Sequence, residues 1–205
     1  MNEAQPPDPA ASPRRERRRL EMRSRILEAA LARFREAGFE TTTVAEICEA
    51  ADIAYGTFFN HFPTKLDLLR AIVDESQHTL AKSVEDLCKE PGSTSEKFRS
   101  LFEILTRNAR EFGPGHRDLV AQMVTLGYQE SPAEKDRRLH TIFRSFLESG
   151  VARGDVREEE LDALTEIVLG AYTAITLSWV HFDDYPVLER ADGVARLLAR
   201  TLPDP

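Results

Sequence analysis

Cysteine is scarce in this chain: Cys48 and Cys88 are the only two, 40 positions apart. No paired-cysteine metal motif can be built from them, and with no secretory apolar segment ahead of them a reducing cytoplasm is the expected compartment. Long hydrophobic runs are missing as well. The longest uncharged apolar stretch, Ile167 to Val180, has 14 residues, short of the roughly 20 that cross a bilayer, so it reads as a buried core or interface helix, and no membrane is expected among the partners. A phosphate-cradling glycine loop, a dinucleotide fingerprint and a nucleophile elbow are also absent. The expectation is a protein without cofactor and without enzymatic activity.

The 205 residues are 41% hydrophobic and 30% charged, the balance of an ordinary globular chain able to bury a core. A formal charge of -8 speaks against nucleic acid until it is divided along the sequence. Residues 1–65 hold as many Lys and Arg as Asp and Glu, so the remainder carries the whole deficit. Within the first part, Arg14, Arg15, Arg17, Arg18, Arg19, Arg23 and Arg25 face only Glu16 and Glu21. An acidic body with one basic end can orient itself toward phosphate, because charge is felt locally, within a Debye length of roughly 8 Å.

Residues 1–13 contain four prolines and almost no large apolar group, which predicts a disordered tail. From about Arg14 to Ala37 the apolar positions Leu20, Leu27, Ala30, Leu31 and Phe34 recur at helical spacing, and Gly38 supplies a left-handed stop. Thr43-Val44-Ala45-Glu46 is a capping box that opens a short second helix, whose inner face holds Val44, Ile47, Cys48 and Ala51. A third short helix, roughly Tyr55 to Phe62, stops before Pro63. Thr64 then caps a long fourth helix with a stripe of Leu66, Leu69, Ile72, Val73, Ser76 and Leu80, closed by Pro91-Gly92. Further helices are expected at about 94–112, 115–128, 132–152, 158–182 and 187–201. No strand-like alternation competes, so the fold class is all-α.

Two short helices with a tight connection form a helix-turn-helix. The recognition helix of such a pair enters a major groove about 12 Å wide, so its leading face must be small or polar and its rear face apolar. Ala54, Tyr55, Gly56, Thr57, Asn60 and His61 suit the leading face, and Phe58 and Phe62 suit the rear; Phe59 stays open between core and contact. Gly56 is read as letting backbone approach backbone. Residues 41–69, TTTVAEICEAADIAYGTFFNHFPTKLDLL, resemble the DNA-binding domain of the TetR family over their full length. The likeness lies in the capped Thr-Val-Ala-Glu-Ile opening, the Gly56-Thr57-aromatic-aromatic-x-His61-Phe62 core, and Lys65 before a Leu-rich helix, all behind an Arg-rich helix ending in Ala37-Gly38-Phe39.

That resemblance implies a tail over 1–13, a three-helix DNA-binding domain over 14–64 with its motif at about 43–62, and a helical regulatory and dimerisation domain over 65–205. It implies phosphate contacts at Thr57, at Lys65 and at the second-helix cap near Thr42 and Thr43, with Arg18, Arg19 and Arg23 available to backbone or minor groove. Where the family commonly has Tyr, Phe59 lacks the hydroxyl that meets phosphate. The implied partners are double-stranded operator DNA, a second copy joined through about 158–201, and a small-molecule effector. The implied function is a repressor released from a palindromic operator. Phe102, Leu105, Met123, Tyr128, Phe143, Phe146, Tyr172 and Trp179 are candidates for an apolar effector pocket, with plain core as the competing reading.

Two other classes compete. A redox sensor would use Cys48 or Cys88, although Cys48 falls on the inner face of the second helix, where inert packing is expected. A helical metal enzyme would start from Glu75-Ser76-Gln77-His78, an Glu-x-x-His spacing that needs a second copy this sequence does not contain.

Overall fold

The computed structural model describes residues 13–111, 114–129 and 132–202. The tail expected over 1–13 lies outside the described residues, apart from Pro13, which opens the first helix. Nine α-helices and one 3-10 turn account for the regular structure among them: α1 (Pro13–Ala37), α2 (Val44–Ala50), α3 (Tyr55–His61), α4 (Lys65–Lys89), α5 (Thr94–Glu111), α6 (Pro114–Gln129), α7 (Pro132–Arg153), the turn Glu158–Glu160, α8 (Leu161–His181) and α9 (Val187–Thr201). The all-α expectation holds, and each expected helix is present with ends shifted by at most a few residues.

Local chemistry sets the boundaries of the head. Gly38 ends α1 with φ +94, a conformation that carries no steric cost without a Cβ. The capping box at Thr43 is complete: the Glu46 amide donates to the Thr43 hydroxyl at 3.3 Å, and the Glu46 carboxylate accepts from the Thr43 amide at 2.7 Å. At the far end of α2 the Ile53 amide donates to the Cys48 carbonyl and the Asp52 amide to the Glu49 carbonyl, at 3.0 and 3.1 Å. This is the Schellman pairing, with Asp52 at φ +50 in the place usually held by glycine. Thr64 caps α4 by accepting from the Asp67 amide at 3.1 Å.

Two apolar cores result. The first joins Ile26, Ala30 and Phe34 of α1 to Ile47 and Cys48 of α2, to Phe58 and Phe62 of the α3 segment, and to Leu68, Leu69, Ile72 and Val73 of α4, with Leu119 and Leu126 reaching in from α6. The head's packing therefore continues past residue 64 to Val73. The second core gathers Phe98, Phe102, Phe143, Phe146, Leu147 and Val168 between α5, α7 and α8. Burying each such aromatic contributes roughly 1.5–3 kcal/mol.

Three stripe positions, Leu20, Leu66 and Ser76, are exposed and so differ from expectation. Leu20 is 53% and Leu66 39% exposed. Leu20 lies in the first turns of α1, ahead of Ile26, where the buried face begins, and in α4 the inward register runs through Leu68 and Leu69 in place of Leu66.

Candidate nucleic-acid interface and effector cavity

The helix-turn-helix is held from behind. Phe58 and Phe62 are 0% and 1% exposed, which fixes the roll of α3 about its own axis. Arg25 of α1 donates from Nε and Nη2 to the Ala51 carbonyl at 3.0 and 2.5 Å, and from Nη2 to the Asp52 carbonyl at 2.8 Å. A guanidinium on these carbonyls satisfies acceptors that the end of α2 leaves open, and it opposes the negative end of the helix dipole. The turn that sets α3 against α2 is thus locked by a residue the sequence reading treated only as one member of an arginine run.

With its rear face fixed, α3 presents Tyr55, Gly56, Phe59 and Asn60 outward, with the N-cap Ala54 exposed at its start and Thr57 and His61 half-buried at its flanks. Tyr55 is 57% and Phe59 41% exposed, and their rings meet edge to face at 5.1 Å. Phe59, left open by the sequence, is therefore a surface aromatic that stiffens Tyr55. Gly56 differs from its reading. A Cβ placed there meets nothing within 4 Å, so the missing side chain gives clearance outward and not toward a neighbouring helix. The His61 imidazole titrates below its ordinary range because it is desolvated and lies near the charges of Arg19 and Arg23.

Several expected phosphate contacts are otherwise engaged. Lys65 directs its ammonium into the chain: Nζ donates to the carbonyls of Phe39, Thr42 and Glu40 at 2.7, 3.0 and 3.3 Å, and lies 4.4 Å from the centre of the Phe39 ring. All three ammonium protons are thereby matched with acceptors, so this residue closes the α1–α2 loop onto α4. Thr42 is 2% exposed and its hydroxyl donates to the Gly38 carbonyl at 2.7 Å; it cannot reach a phosphate. Thr43 is exposed, but its hydroxyl is shared with Glu46 at 2.7 Å. Arg19 pairs with Glu16 at 2.8 Å, and Arg23 stacks over the Phe62 ring at 4.4 Å. Arg18 stands exposed on α1.

Behind the head, a cavity of about 310 Å³ opens between α1, α4, α5, α6, α7 and α8. Leu105, Met123 and Tyr172 line it as expected. Phe102 and Trp179 line a separate recess of about 60 Å³, which Leu105 and Tyr172 also border. Phe143 and Phe146 are corrections: both are 0% exposed core residues, Phe146 tilted against Phe98 at 5.5 Å and Phe143 against Tyr172 at 5.7 Å. The side chain of Tyr128 lies outside the described residues. Arg35, Arg107 and His116, which no sequence argument singled out, also line the cavity. A signal existed for Arg35, since it continues the row Leu27, Leu31 at four-residue spacing and so places a charge on the inward side of α1.

The rival chemistries find little support. Cys48 is buried, and burial pushes its thiol up, the opposite of what a reactive thiolate needs. Glu75 and His78 are both exposed on α4, and among the described residues no three metal-ligating side chains come together.

Comparison with known proteins adds a finding of another kind. A family model described as bacterial regulatory proteins, tetR family, matches residues 26–72, from the buried face of α1 into α4. A relative from Bacillus subtilis, the HTH-type transcriptional regulator YhgD, is 26% identical over 87% of this chain and 93% of its own length. The HTH-type transcriptional repressor KstR of Mycolicibacterium smegmatis is 22% identical over 90% of both chains. Among solved structures, FadR of Thermus thermophilus, a TetR-family transcriptional repressor in complex with lauroyl-CoA, is 27% identical with a TM-score of 0.64 over 86% of this chain and 92% of that one.

Proposed function

Because this chain belongs to the tetR family of bacterial regulatory proteins, we propose that it is a cytoplasmic, sequence-specific repressor that leaves a palindromic operator when a small effector fills the cavity behind its head. The observation that carries the reading is α3 itself: a seven-residue helix pinned by two buried phenylalanines that offers Tyr55, Gly56 and Asn60 to solvent. Such a face serves no packing purpose within the protomer and fits a major groove. Tyr55 and Asn60 read base edges, Thr57 and Arg18 meet phosphate, and Arg19 and Arg23 join them once their partners on α1 and at Phe62 exchange for DNA.

Two copies are required, since half-sites lie about one DNA turn, roughly 34 Å, apart. Helix α8 supplies the joining surface. The helical stretch Glu158–His181 has a mean hydropathy of 1.4 over its most apolar window, yet only 22% of that window is buried within the protomer. Ile167 is 53% and Leu197 of α9 62% exposed. An uncharged helical stretch with exposed apolar side chains fits a surface that pairs with a second copy. FadR of Thermus thermophilus is seen in complex with lauroyl-CoA, and a cavity-bound effector acts here by binding better to the state whose head spacing misses the operator.

Selection of bound fragments from random DNA tests the reading. The expected product is an inverted repeat with half-site centres one turn apart. Tyr55→Ala and Asn60→Ala are expected to relax preference within each half-site by roughly 1–3 kcal/mol per lost base contact. Recovery of no common sequence would remove the proposal.

A further inference from the structure

The charge of the cavity wall runs against the charge of the chain. The whole sequence holds 35 carboxylates against 27 Lys and Arg, yet among the described residues the wall contains Arg35, Arg107 and His116 and no Asp or Glu. Around them the wall is largely apolar, with Ile72, Leu119 and Met123 as examples. Position sharpens the pattern. Arg35 is half-buried near the end of α1, His116 is 3% exposed on α6, and Arg107 stands exposed on α5 at the rim.

Arg35 brings a permanent charge to a largely apolar wall, where an anion is attracted to it more strongly than in water, and an imidazole N–H on the same wall can donate a hydrogen bond to that anion. The His116 imidazole is neutral near pH 7, its pKa lowered to about 4 first by desolvation and then by the nearby charge of Arg35.

We propose that the effector of this cavity is an organic anion with an apolar body, its charged end held between Arg35 of the DNA-binding head and His116 of the regulatory body. The inference rests on the repressor reading and deepens it. The consequence is mechanical as well as chemical. Arg35 lies three residues before Gly38, on the same helix whose Arg25 clamps the α2–α3 turn. An anion drawing Arg35 toward α6 therefore acts on the head directly, where an uncharged occupant would touch only the packing. The head and α6 are already joined at this point, because the Asp118 carboxylate accepts from the Phe39 amide at 2.8 Å, and a new charge between α1 and α6 competes with that geometry.

Calorimetric titration of the full chain with matched pairs that differ in charge tests the proposal: dodecanoate against 1-dodecanol, and 1-naphthoate against 1-naphthalenemethanol, all below aggregation. At least one acid is expected to bind ten or more times tighter than its alcohol. Arg35→Gln is expected to abolish that preference while leaving alcohol binding within twofold, and Arg35→Lys to retain part of it, which separates charge from folding. The acid that binds is expected to weaken binding of the selected operator fragment, and to lose this effect in Arg35→Gln. Equal binding of acid and alcohol, no binding of either acid, or an undiminished preference in Arg35→Gln overturns the proposal. Operator binding by the unliganded chain is measured in parallel. If it is selective while no acid binds, the effector class falls and the repressor reading stands; if no operator is selected, the repressor reading falls on its own.

Discussion

Lys65 shows how one side chain changes meaning once its neighbours are placed. Its ammonium binds three backbone carbonyls of residues 39–42, and charge-assisted bonds of this kind contribute about 1.5–3 kcal/mol each when well formed, less where water competes. Lys65→Ala is expected to destabilise the chain by about 2 kcal/mol in urea unfolding. Its operator affinity, measured well below the unfolding midpoint, should keep the same dependence on salt. A lysine on a phosphate would instead take about one unit from the slope of log K against log salt. Gly56 makes the complementary case. Since a methyl group there meets nothing in the chain, Gly56→Ala is expected to leave stability unchanged or raise it by up to about 1 kcal/mol. Its binding to cognate and scrambled DNA alike should fall about tenfold in an equilibrium assay, because the methyl occupies the clearance α3 needs at the groove.

At the scale of elements, the helix-turn-helix depends on how α2 ends. Asp52 takes the left-handed position of the Schellman turn, a conformation costing a residue with a Cβ roughly 1 kcal/mol that glycine does not spend. Asp52→Gly is therefore expected to raise stability by about 0.5–1 kcal/mol in chemical denaturation, with α3 unmoved. These elements were legible because their signals are local: a capping box, a proline stop and a glycine at Ala37-Gly38 each act within a few residues. Phe58 and Phe62 followed from the same helical period. Lys65 and Thr42 turn their polar atoms onto backbone carbonyls, and Phe143 and Phe146 pack in the core, for a shared reason that the sequence does not carry. What a side chain touches across helices depends on crossing angles and register, which periodicity does not contain. Arg25, His116 and Asp118 act only across such contacts, and so no spacing announced them, whereas Arg35 continues the inward row of Leu27 and Leu31.

For the whole molecule, the proposed pairing of two copies through α8 makes the distance between their heads the remaining quantity. The α8 stretch from Ile167 to Val180 carries no charge, and within the protomer only Val168 and Ile175 of it are buried. A carboxylate placed there must be desolvated when two copies meet, whereas in a lone protomer it stays in water at little cost. Ile167→Glu tests this, because Ile167 is 53% exposed and its loss removes little from the internal core. Its helical content and unfolding midpoint at low protein concentration should match those of the parent, while light scattering at micromolar concentration reports a monomer where the parent is a dimer. Operator affinity should then fall by at least a hundredfold, since a single head keeps only one half-site. A dimer that survives the substitution would move the interface away from α8, and a monomer that still bound a full palindrome tightly would break the link between pairing and recognition.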